Sequence, residues 1–172
     1  MNPTVLVNSS LASRVESVFG DVDDPIELVD ARAGATLSEF RMLVWEADAA
    51  SLECTYIGST ALATLGYPAR YWTGRPGFWA KIIHDDDRDE TLANCAICAG
   101  RARGHNFAYR ALAADGTYRH IFNVLRVIRG PRGLAIRLRG ILFEVDDPES
   151  FASGTHPLLE IQRQEPEMAV ED

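Results

Sequence analysis

The sequence predicts an α+β domain built on an antiparallel sheet. Two short apolar, β-branched runs come first, several short helical segments and one longer helix follow, and three strand-like runs joined by tight turns come last. The 172 residues, 47% of them hydrophobic, fit one core better than two complete domains. We expect a helix and linker over residues 1–36, the domain itself over 37–147, and an acidic tail over 148–172.

The N-terminal segment predicts one short amphipathic helix. Ser10 can cap this helix, Gly20 can end it, and the apolar residues between them recur at helical spacing. These apolar residues are Leu11, Val15, Val18 and Phe19. An isolated helix of this length is marginal in water. We therefore expect it to pack on the outer face of the sheet, near Ile121, Leu125 and Val127, or against its copy in a dimer.

The next segments alternate between irregular, extended and helical patterns. The stretch 21–34 has acid, proline and glycine spacing without a sustained period, which predicts a linker. Residues 40–47 and 54–57 are short apolar, β-branched runs that predict a hairpin. Short helices are expected over 59–66 and 78–83.

A longer helix and three strands complete the predicted domain. The helix is expected from Asp85 to about Arg103, because carboxylates in a first turn favour the positive end of the helix dipole. The strands are expected over residues 106–113, 118–128 and 134–145. Glycine-containing turns such as Asp115-Gly116 supply the positive φ that hairpins need.

Charge is spread unevenly along the chain. The net charge is −8, yet residues 101–143 carry nine arginines and a single acidic residue. An acidic protein is repelled as a whole by phosphate, so we expect no nucleic-acid partner. Arg137 and Arg139 alternate with apolar neighbours and should share one face of the last strand. We expect these two arginines to contact protein carboxylates, from residues 21–30 or 160–172, within the chain or across a dimer.

The cysteines and the hydropathy pattern indicate a cytoplasmic protein. No run approaches the roughly 20 apolar residues of a membrane span, and three cysteines are too few for a disulfide framework. Cys95 and Cys98 would lie side by side on a helix, but one pair supplies only two of the four ligands that structural zinc uses. We therefore expect no membrane association and no metal site.

Six segments of the chain match a known family in order and spacing. They are VWEAD (44–48), TYIGSTALATLGYP (55–68), GRPGFW (74–79), IHDDDR (83–88), FAYRALAADGTYRHI (107–121) and GILFEVDD (140–147). On these segments the chain resembles the PAS sensory domains, in the variant common in bacterial two-component and cyclic-dinucleotide signalling proteins. The resemblance implies a PAS fold: a five-stranded antiparallel sheet of order 2-1-5-4-3, with short helices and one longer helix wrapped over one face around a small cavity.

The resemblance implies a non-enzymatic sensory or protein-interaction module. Such a module would bind a small ligand or dimerise, and pass the signal to a protein partner or an effector domain. The candidate cavity residues are Trp45, Tyr56, Leu62, Trp79, Cys95, Phe107, Tyr109, Phe122 and Leu138. The alternative for all nine is a plain core filled by side chains.

The cofactor stays unassigned at this point. Gly77 stands where a light-oxygen-voltage domain, a flavin-binding branch of the family, would carry its reactive cysteine, so adduct photochemistry is not expected. Haem remains open, because His105 and His120 lie on predicted strands although the long helix contains no histidine.

A small α+β enzyme is the competing interpretation. Its acid–base groups would be His84, Asp86 and Tyr109. We favour capping of a helix start for His84 and Asp86, and we predict no catalytic residue.

Overall fold

One five-stranded antiparallel sheet of order β2-β1-β5-β4-β3 organises the protein. The computed structural model describes residues 10–101 and 104–163. The strands are β1 (Met42–Asp48), β2 (Cys54–Ile57), β3 (His105–Leu112), β4 (Tyr118–Arg129) and β5 (Ala135–Glu144). The predicted α+β class and strand order are confirmed, whereas the domain boundaries at 37 and 147 stay a prediction. Predictions that fall on residues 1–9, 102–103 and 164–172 lie outside the described residues.

Three helices cover one face of the sheet, which we call the inner face. They are α3 (Ala69–Gly74), α4 (Phe78–Ile82) and α5 (Asp85–Arg101). The carboxylate of Asp87 in the first turn of α5 accepts hydrogen bonds from the Arg110 side chain and backbone N–H, each at 2.9 Å. This contact joins α5 to β3 and closes the cover over the sheet.

The segment 59–66 forms turns, so the prediction of a helix there is wrong. The hydroxyls of Thr60 and Thr64 both donate to the Met42 carbonyl oxygen, at 2.6 and 3.1 Å. Leu65 and Gly66 have φ values of 65° and 85°, outside the helical region. These side-chain hydrogen bonds to strand β1 hold the segment in turns and compete with the backbone hydrogen bonds of a helix.

Helix α1 (Leu11–Phe19) packs on the opposite, outer face of the sheet, as its apolar stripe predicts. Its four stripe residues are all buried. The predicted receiving residues Ile121, Leu125 and Val127 are wrong, because they belong to the inner core. The helix shares the outer core with Phe122 and Val124 instead. Neighbouring residues of a strand point to opposite faces of the sheet, so the prediction chose residues one position away from those that contact the helix.

The stretch predicted as a linker contains helix α2 (Ile26–Thr36). Val29 and Ala33 are fully buried against the outer face. The helical period is weak in the sequence because the charged Asp30 also lies on the buried side. Its carboxylate accepts hydrogen bonds from the Tyr56 hydroxyl and the Ser59 N–H, at 2.9 and 3.0 Å.

The acidic tail contains two further helices, α6 (Pro148–Ala152) and α7 (Leu159–Arg163). Leu158 and Ile161 are buried in the outer core, so this part of the tail is packed on the domain. The imidazole of His156 accepts the Leu158 N–H through Nδ1. No helix among residues 10–101 and 104–163 is long and apolar enough to cross a membrane.

Candidate ligand cavity

A small apolar cavity lies between the inner face of the sheet, α3, α4, α5 and the β1–β2 hairpin. Its volume is about 30 Å³, which is space for only one or two water molecules. The lining residues are Leu43, Trp45, Ala47, Leu52, Cys54, Ile57, Trp72, Trp79, Cys95, Leu138 and Leu142. No charged side chain is among them. The cavity is therefore a small apolar space in a core that side chains largely fill.

Strand alternation builds one wall of the cavity. Leu43, Trp45 and Ala47 are alternate residues of β1, so their side chains point to the same face. Trp45 is paired with Gly140 of β5. A Cβ atom on residue 140 would lie 2.2 Å from the Trp45 ring. Glycine at position 140 is what allows the indole to lie against the neighbouring strand.

The three tryptophans of the chain all line the cavity, and they differ in hydrogen bonding. Trp45 Nε1 donates to Asn123 Oδ1 at 2.9 Å, and Trp79 Nε1 donates to the Tyr109 hydroxyl at 3.0 Å. Trp72 Nε1 is buried and has no hydrogen-bond acceptor among the described residues. Of the three indole N–H groups, that of Trp72 is therefore buried without a hydrogen bond to the described residues, which costs stability in the folded state.

Burial keeps the cavity wall neutral. Desolvation raises the pKa of the Cys54 and Cys95 thiols to about 12. The Cys54 thiol also donates to the Tyr56 carbonyl oxygen at 3.2 Å. Burial likewise raises the pKa of Tyr109. At neutral pH these groups are protonated, so neither cysteine is a reactive thiolate.

Four of the nine predicted cavity residues line the cavity: Trp45, Trp79, Cys95 and Leu138. Phe107 and Tyr109 belong to the same inner core but do not line it. Tyr56 and Phe122 face the outer core, and Leu62 is 67% exposed. For Tyr56 and Phe122 the face of the strand was assigned wrongly, and Leu62 lies on the surface of the 59–66 turns.

Sequence reasoning missed seven lining residues: Leu43, Ala47, Leu52, Cys54, Ile57, Trp72 and Leu142. Alternation could have found three of them. Leu43 and Ala47 lie two residues either side of Trp45, and Leu142 lies four residues beyond Leu138. Trp72 lies in a helix of six residues, which is too short to show a period.

The proposed acid–base groups lie in two different settings. His84 Nδ1 accepts the Asp86 N–H at 3.0 Å at the start of α5. The hydroxyl of Tyr109 accepts the hydrogen bond from Trp79 inside the core. His84 and Asp86 therefore lie at the helix junction that the binding-module interpretation expects. Within the described residues, no group of three or more His, Cys, Asp or Glu side chains is arranged to hold a metal ion.

Neither cofactor weighed from the sequence fits the cavity. A volume of about 30 Å³ is far smaller than a haem or a flavin ring system. Neither His105 nor His120 lines the cavity, and His120 is exposed. Gly77 begins α4 with a φ of 71°, a conformation that favours glycine.

A buried ion pair lies on the outer face, directly behind the cavity wall. Glu46 and Arg139 follow Trp45 and precede Gly140 on the two paired strands. Arg139 Nε lies 2.6 Å from Glu46 Oε2, and Arg139 Nη1 donates to the Asp24 carbonyl oxygen at 2.7 Å. The prediction that Arg137 and Arg139 contact protein carboxylates is confirmed, since Arg137 Nη1 also lies 3.7 Å from Glu46. The carboxylate comes from β1, whereas residues 21–30 contribute a carbonyl group to Arg139. The other expected source, residues 160–172, lies largely outside the described residues.

Comparison with known proteins gives one family and many similar structures. The family model described as PAS fold matches residues 55–142. The N-terminal domain of a diguanylate cyclase with PAS/PAC sensor from Marinobacter aquaeolei is 29% identical, with a TM-score of 0.55 over 60% of this chain and 94% of that one. A sensory box histidine kinase/response regulator from Burkholderia thailandensis is 19% identical, with a TM-score of 0.56 over 77% of this chain and 95% of that one.

A third similar structure is the PAS-B domain of Cycle from Drosophila melanogaster with bound ethylene glycol. It is 12% identical, with a TM-score of 0.53 over 60% of this chain and 99% of that one. At such identities the last two structures show the fold alone. The comparison with curated proteins found no match.

Proposed function

The chain belongs to the PAS fold family, and on that premise we propose that it is a non-enzymatic sensory and protein-interaction module of bacterial signal transduction. The module senses a small molecule in the cavity, acts as a homodimer in the cytoplasm, and passes its state to a protein partner or an effector domain. The name of the similar protein from Marinobacter aquaeolei, a diguanylate cyclase with PAS/PAC sensor, supports a role in signalling.

One observation carries the proposal: the cavity wall and the outer ion pair are made by consecutive residues of the same two strands. Trp45 and Gly140 face the cavity, and the next pair in the register, Glu46 and Arg139, faces outward. A molecule that displaces the Trp45 indole moves β1 against β5. Because the two pairs are one residue apart, that movement reaches the ion pair directly.

The ion pair connects the sheet to the segments that cover its outer face. Arg139 holds the Asp24 carbonyl oxygen just before α2. Helix α1 is attached through Arg126 of β4, which pairs with Glu16 and lies over the Phe19 ring. A shift in the sheet therefore changes contacts of both α1 and α2, and these helices are the surface that a partner or second copy meets.

A ligand acts on such a system only through unequal affinity for two arrangements. In the filled arrangement the Trp45 indole is displaced and the contacts of Arg139 change. In the other arrangement the Trp45 indole lies against Gly140 and Arg139 keeps its contacts with Glu46 and Asp24. The coupling between cavity and outer helices is the free-energy difference that ligand binding makes between the two.

The arginine-rich strands support a protein partner over nucleic acid. Arg119, Arg126 and Arg139 are each paired with a carboxylate of this chain. A guanidinium engaged in this way contributes less to attraction of phosphate. The buried thiols support the cytoplasm, because the three cysteines form no disulfide.

The test fills the cavity by a substitution in its wall and measures the effect on helices α1 and α2. Ala47→Val adds two methyl groups to the cavity wall at a strand position that favours β-branched residues. We expect altered amide hydrogen exchange in α1 and α2 and a changed monomer–dimer balance by native mass spectrometry. Ala108→Val, an exposed strand position outside the cavity, is the matched control and should change neither.

The coupling proposal fails if Ala47→Val leaves exchange in α1 and α2 unchanged. It also fails if the double variant Glu46→Leu/Arg139→Met, which removes the link to Asp24 without leaving a buried charge unpaired, leaves the response to Ala47→Val intact. Native mass spectrometry of protein purified from cells adds a direct reading, since a bound small molecule adds its mass to the folded chain.

A further inference from the structure

We propose that the cavity binds a small molecule without hydrogen-bonding groups, such as a short hydrocarbon, and that Leu52 closes the side of the cavity nearest solvent. The inference rests on the proposed sensory function, because it names the chemical class of the ligand and the residue that limits the ligand's size. It follows from the lining of the cavity and from the backbone conformation of one lining residue.

The polar groups of the cavity wall offer a ligand little hydrogen bonding. The indole N–H groups of Trp45 and Trp79 and the thiol of Cys54 all donate to other groups of the chain. Trp72 Nε1 is buried, with almost no surface accessible to a bound molecule. The Cys95 thiol is protonated at neutral pH and is a weak donor. Binding in this cavity therefore has to come from apolar contact.

Such a wall discriminates against polar and charged molecules. A hydroxyl or carbonyl group moved from water into an apolar site without a partner loses its hydrogen bonds, which is unfavourable. A carboxylate or phosphate is disfavoured far more, because the described lining contains no Lys, Arg or His. Water is a poor occupant for the same reason, since a buried water typically makes about three hydrogen bonds. An apolar molecule loses no hydrogen bond and gains free energy by leaving water.

The solvent side of the cavity is formed by its half-buried lining residues, which are Trp45, Leu52, Cys54, Ile57 and Trp79. Among the described lining residues, Leu52 alone belongs to neither a strand nor a helix. It lies in the turn between β1 and β2, where its N–H donates to the Asp48 carbonyl oxygen at 2.9 Å. A turn residue moves at the cost of fewer backbone hydrogen bonds than a residue within the sheet. Leu52 is therefore the lining side chain that an entering molecule displaces most easily.

The backbone of Leu52 is held in an unfavourable conformation. Its φ is 59°, in the left-handed region that residues other than glycine rarely adopt. The Asp48 carboxylate holds the turn by accepting hydrogen bonds from the Ser51 N–H and hydroxyl, at 2.9 and 3.1 Å. On the other side of Leu52, the Glu53 carboxylate accepts the Gly77 N–H ahead of α4 at 3.1 Å. Strain of this kind persists where surrounding contacts enforce it, and here it accompanies an apolar side chain that lines the cavity.

The experiment compares ethane with methanol, which has the same number of non-hydrogen atoms and differs by a hydroxyl group. Each is titrated into the full chain, with ethane supplied under pressure, and the amide and methyl signals of the lining residues are followed by NMR. We expect ethane to bind roughly tenfold more tightly, because methanol buries an unpaired hydroxyl. Nuclear Overhauser contacts from ethane should reach the Leu52 methyl groups and not those of the exposed Leu62.

Shortening Leu52 tests its role as the limit on ligand size. Leu52→Ala enlarges the cavity at its solvent side, and we expect the affinity for butane to rise roughly tenfold, because two further carbon atoms of the ligand are then buried. Leu62→Ala is the matched control: it makes the same truncation at an exposed side chain that does not line the cavity, and it should leave the affinity for butane unchanged. If Leu52→Ala does not fold, the Overhauser contacts of ethane in the unmodified chain decide.

The outcomes separate this inference from the sensory function. Equal affinities for ethane and methanol would overturn the ligand class, and an unchanged affinity for butane in Leu52→Ala would overturn the role of Leu52. No binding of ethane would overturn the inference as a whole, whereas the exchange response of α1 and α2 to Ala47→Val would still decide the sensory function. If ethane binds as expected but leaves hydrogen exchange in α1 and α2 unchanged, the ligand class stands and the sensory coupling fails.

Discussion

Glu46 and Arg139 form an ion pair whose side chains are only 7% and 6% exposed, although the pair lies on a face of the sheet rather than in its main core. Helices α1 and α2 and residues of the C-terminal segment exclude water from this face. A charge buried in this way is costly once its partner is removed. The pair therefore couples the sheet to its outer cover and makes that coupling sensitive to substitution.

Breaking this pair on one side should destabilise the protein strongly. We expect Glu46→Leu to lower the free energy of unfolding by about 3–5 kcal/mol, because Arg139 is left buried without its counter-charge. The double variant Glu46→Leu/Arg139→Met should recover most of that loss. Urea denaturation measures all three proteins. Arg137→Met is the control, since Arg137 is half exposed and should cost less than about 1 kcal/mol. A double variant as unstable as the single one would contradict this account.

The close approach of Trp45 to Gly140 predicts a second effect. Gly140→Ala should lower the free energy of unfolding by about 1–3 kcal/mol, because the new methyl group must displace the Trp45 ring. Tryptophan fluorescence should change as the bond from Trp45 to Asn123 is lost. Gly34→Ala is the matched control: its helical position has open space, and the change should stabilise α2 by about 0.5–1 kcal/mol. A neutral Gly140→Ala would show that the indole has room to move.

The pair between Asp87 and Arg110 predicts a dependence on pH. The hydrogen bond from the Arg110 side chain lowers the pKa of Asp87 to about 2 from its ordinary 3.8. The folded form therefore gains stability above pH 3.8, and this gain is lost as the pH falls towards 2. Asp87→Asn should cost about 1 kcal/mol at pH 7, a figure reduced because both side chains are partly exposed to solvent, and nothing near pH 2.

Urea denaturation of Asp87→Asn and the unmodified protein across this pH range tests that expectation. Arg110→Met removes the same hydrogen bond from the other side and should flatten the pH dependence in the same way. A constant difference between Asp87→Asn and the unmodified protein from pH 7 to pH 2 would contradict the assigned cause.

Because α1 is packed on the sheet, shortening one of its buried side chains should lower the free energy of unfolding of the protein. Val15 is fully buried, so Val15→Ala should lower the free energy of unfolding by about 2 kcal/mol. Ser17→Ala changes an exposed residue two positions further on and should stay within about 0.5 kcal/mol. Thermal denaturation compares the two variants. Equal stability of both would mean that α1 contributes nothing to the fold.

The sequence predicts best where one side of an element is apolar and the other polar. The stripe from Leu11 to Phe19 has such a contrast, and both its helix and its burial were predicted. Helix α2 was missed because Asp30 is on its buried side, held there by Tyr56 and Ser59, which are distant in sequence. A charge that is satisfied only by the tertiary fold cannot be recognised as buried from local periodicity.

The cavity was predicted less completely than the sheet, for a physical reason. A residue of a strand buried on both faces is apolar whichever face it occupies, so Phe122 of β4 was assigned to the wrong side. Tyr56 lies in the partly exposed edge strand β2, whose four residues are too few to show a clear alternation. The hydrogen bonding of the tryptophans could not be predicted either. Trp45 and Trp79 donate to Asn123 of β4 and Tyr109 of β3, whereas Trp72 Nε1 has no acceptor among the described residues. Only the assembled structure shows that difference.

Helices α1 and α7 come from opposite ends of the described chain and meet over the sheet. The Ala12 N–H donates to the Glu160 carboxylate at 3.4 Å. A mechanical load applied between residues 10 and 163 would therefore break this contact first and then detach the outer helices from the sheet. The strands would carry the load only later. The domain should yield at low force in single-molecule stretching while its sheet stays intact, which makes the outer cover the compliant part of the molecule.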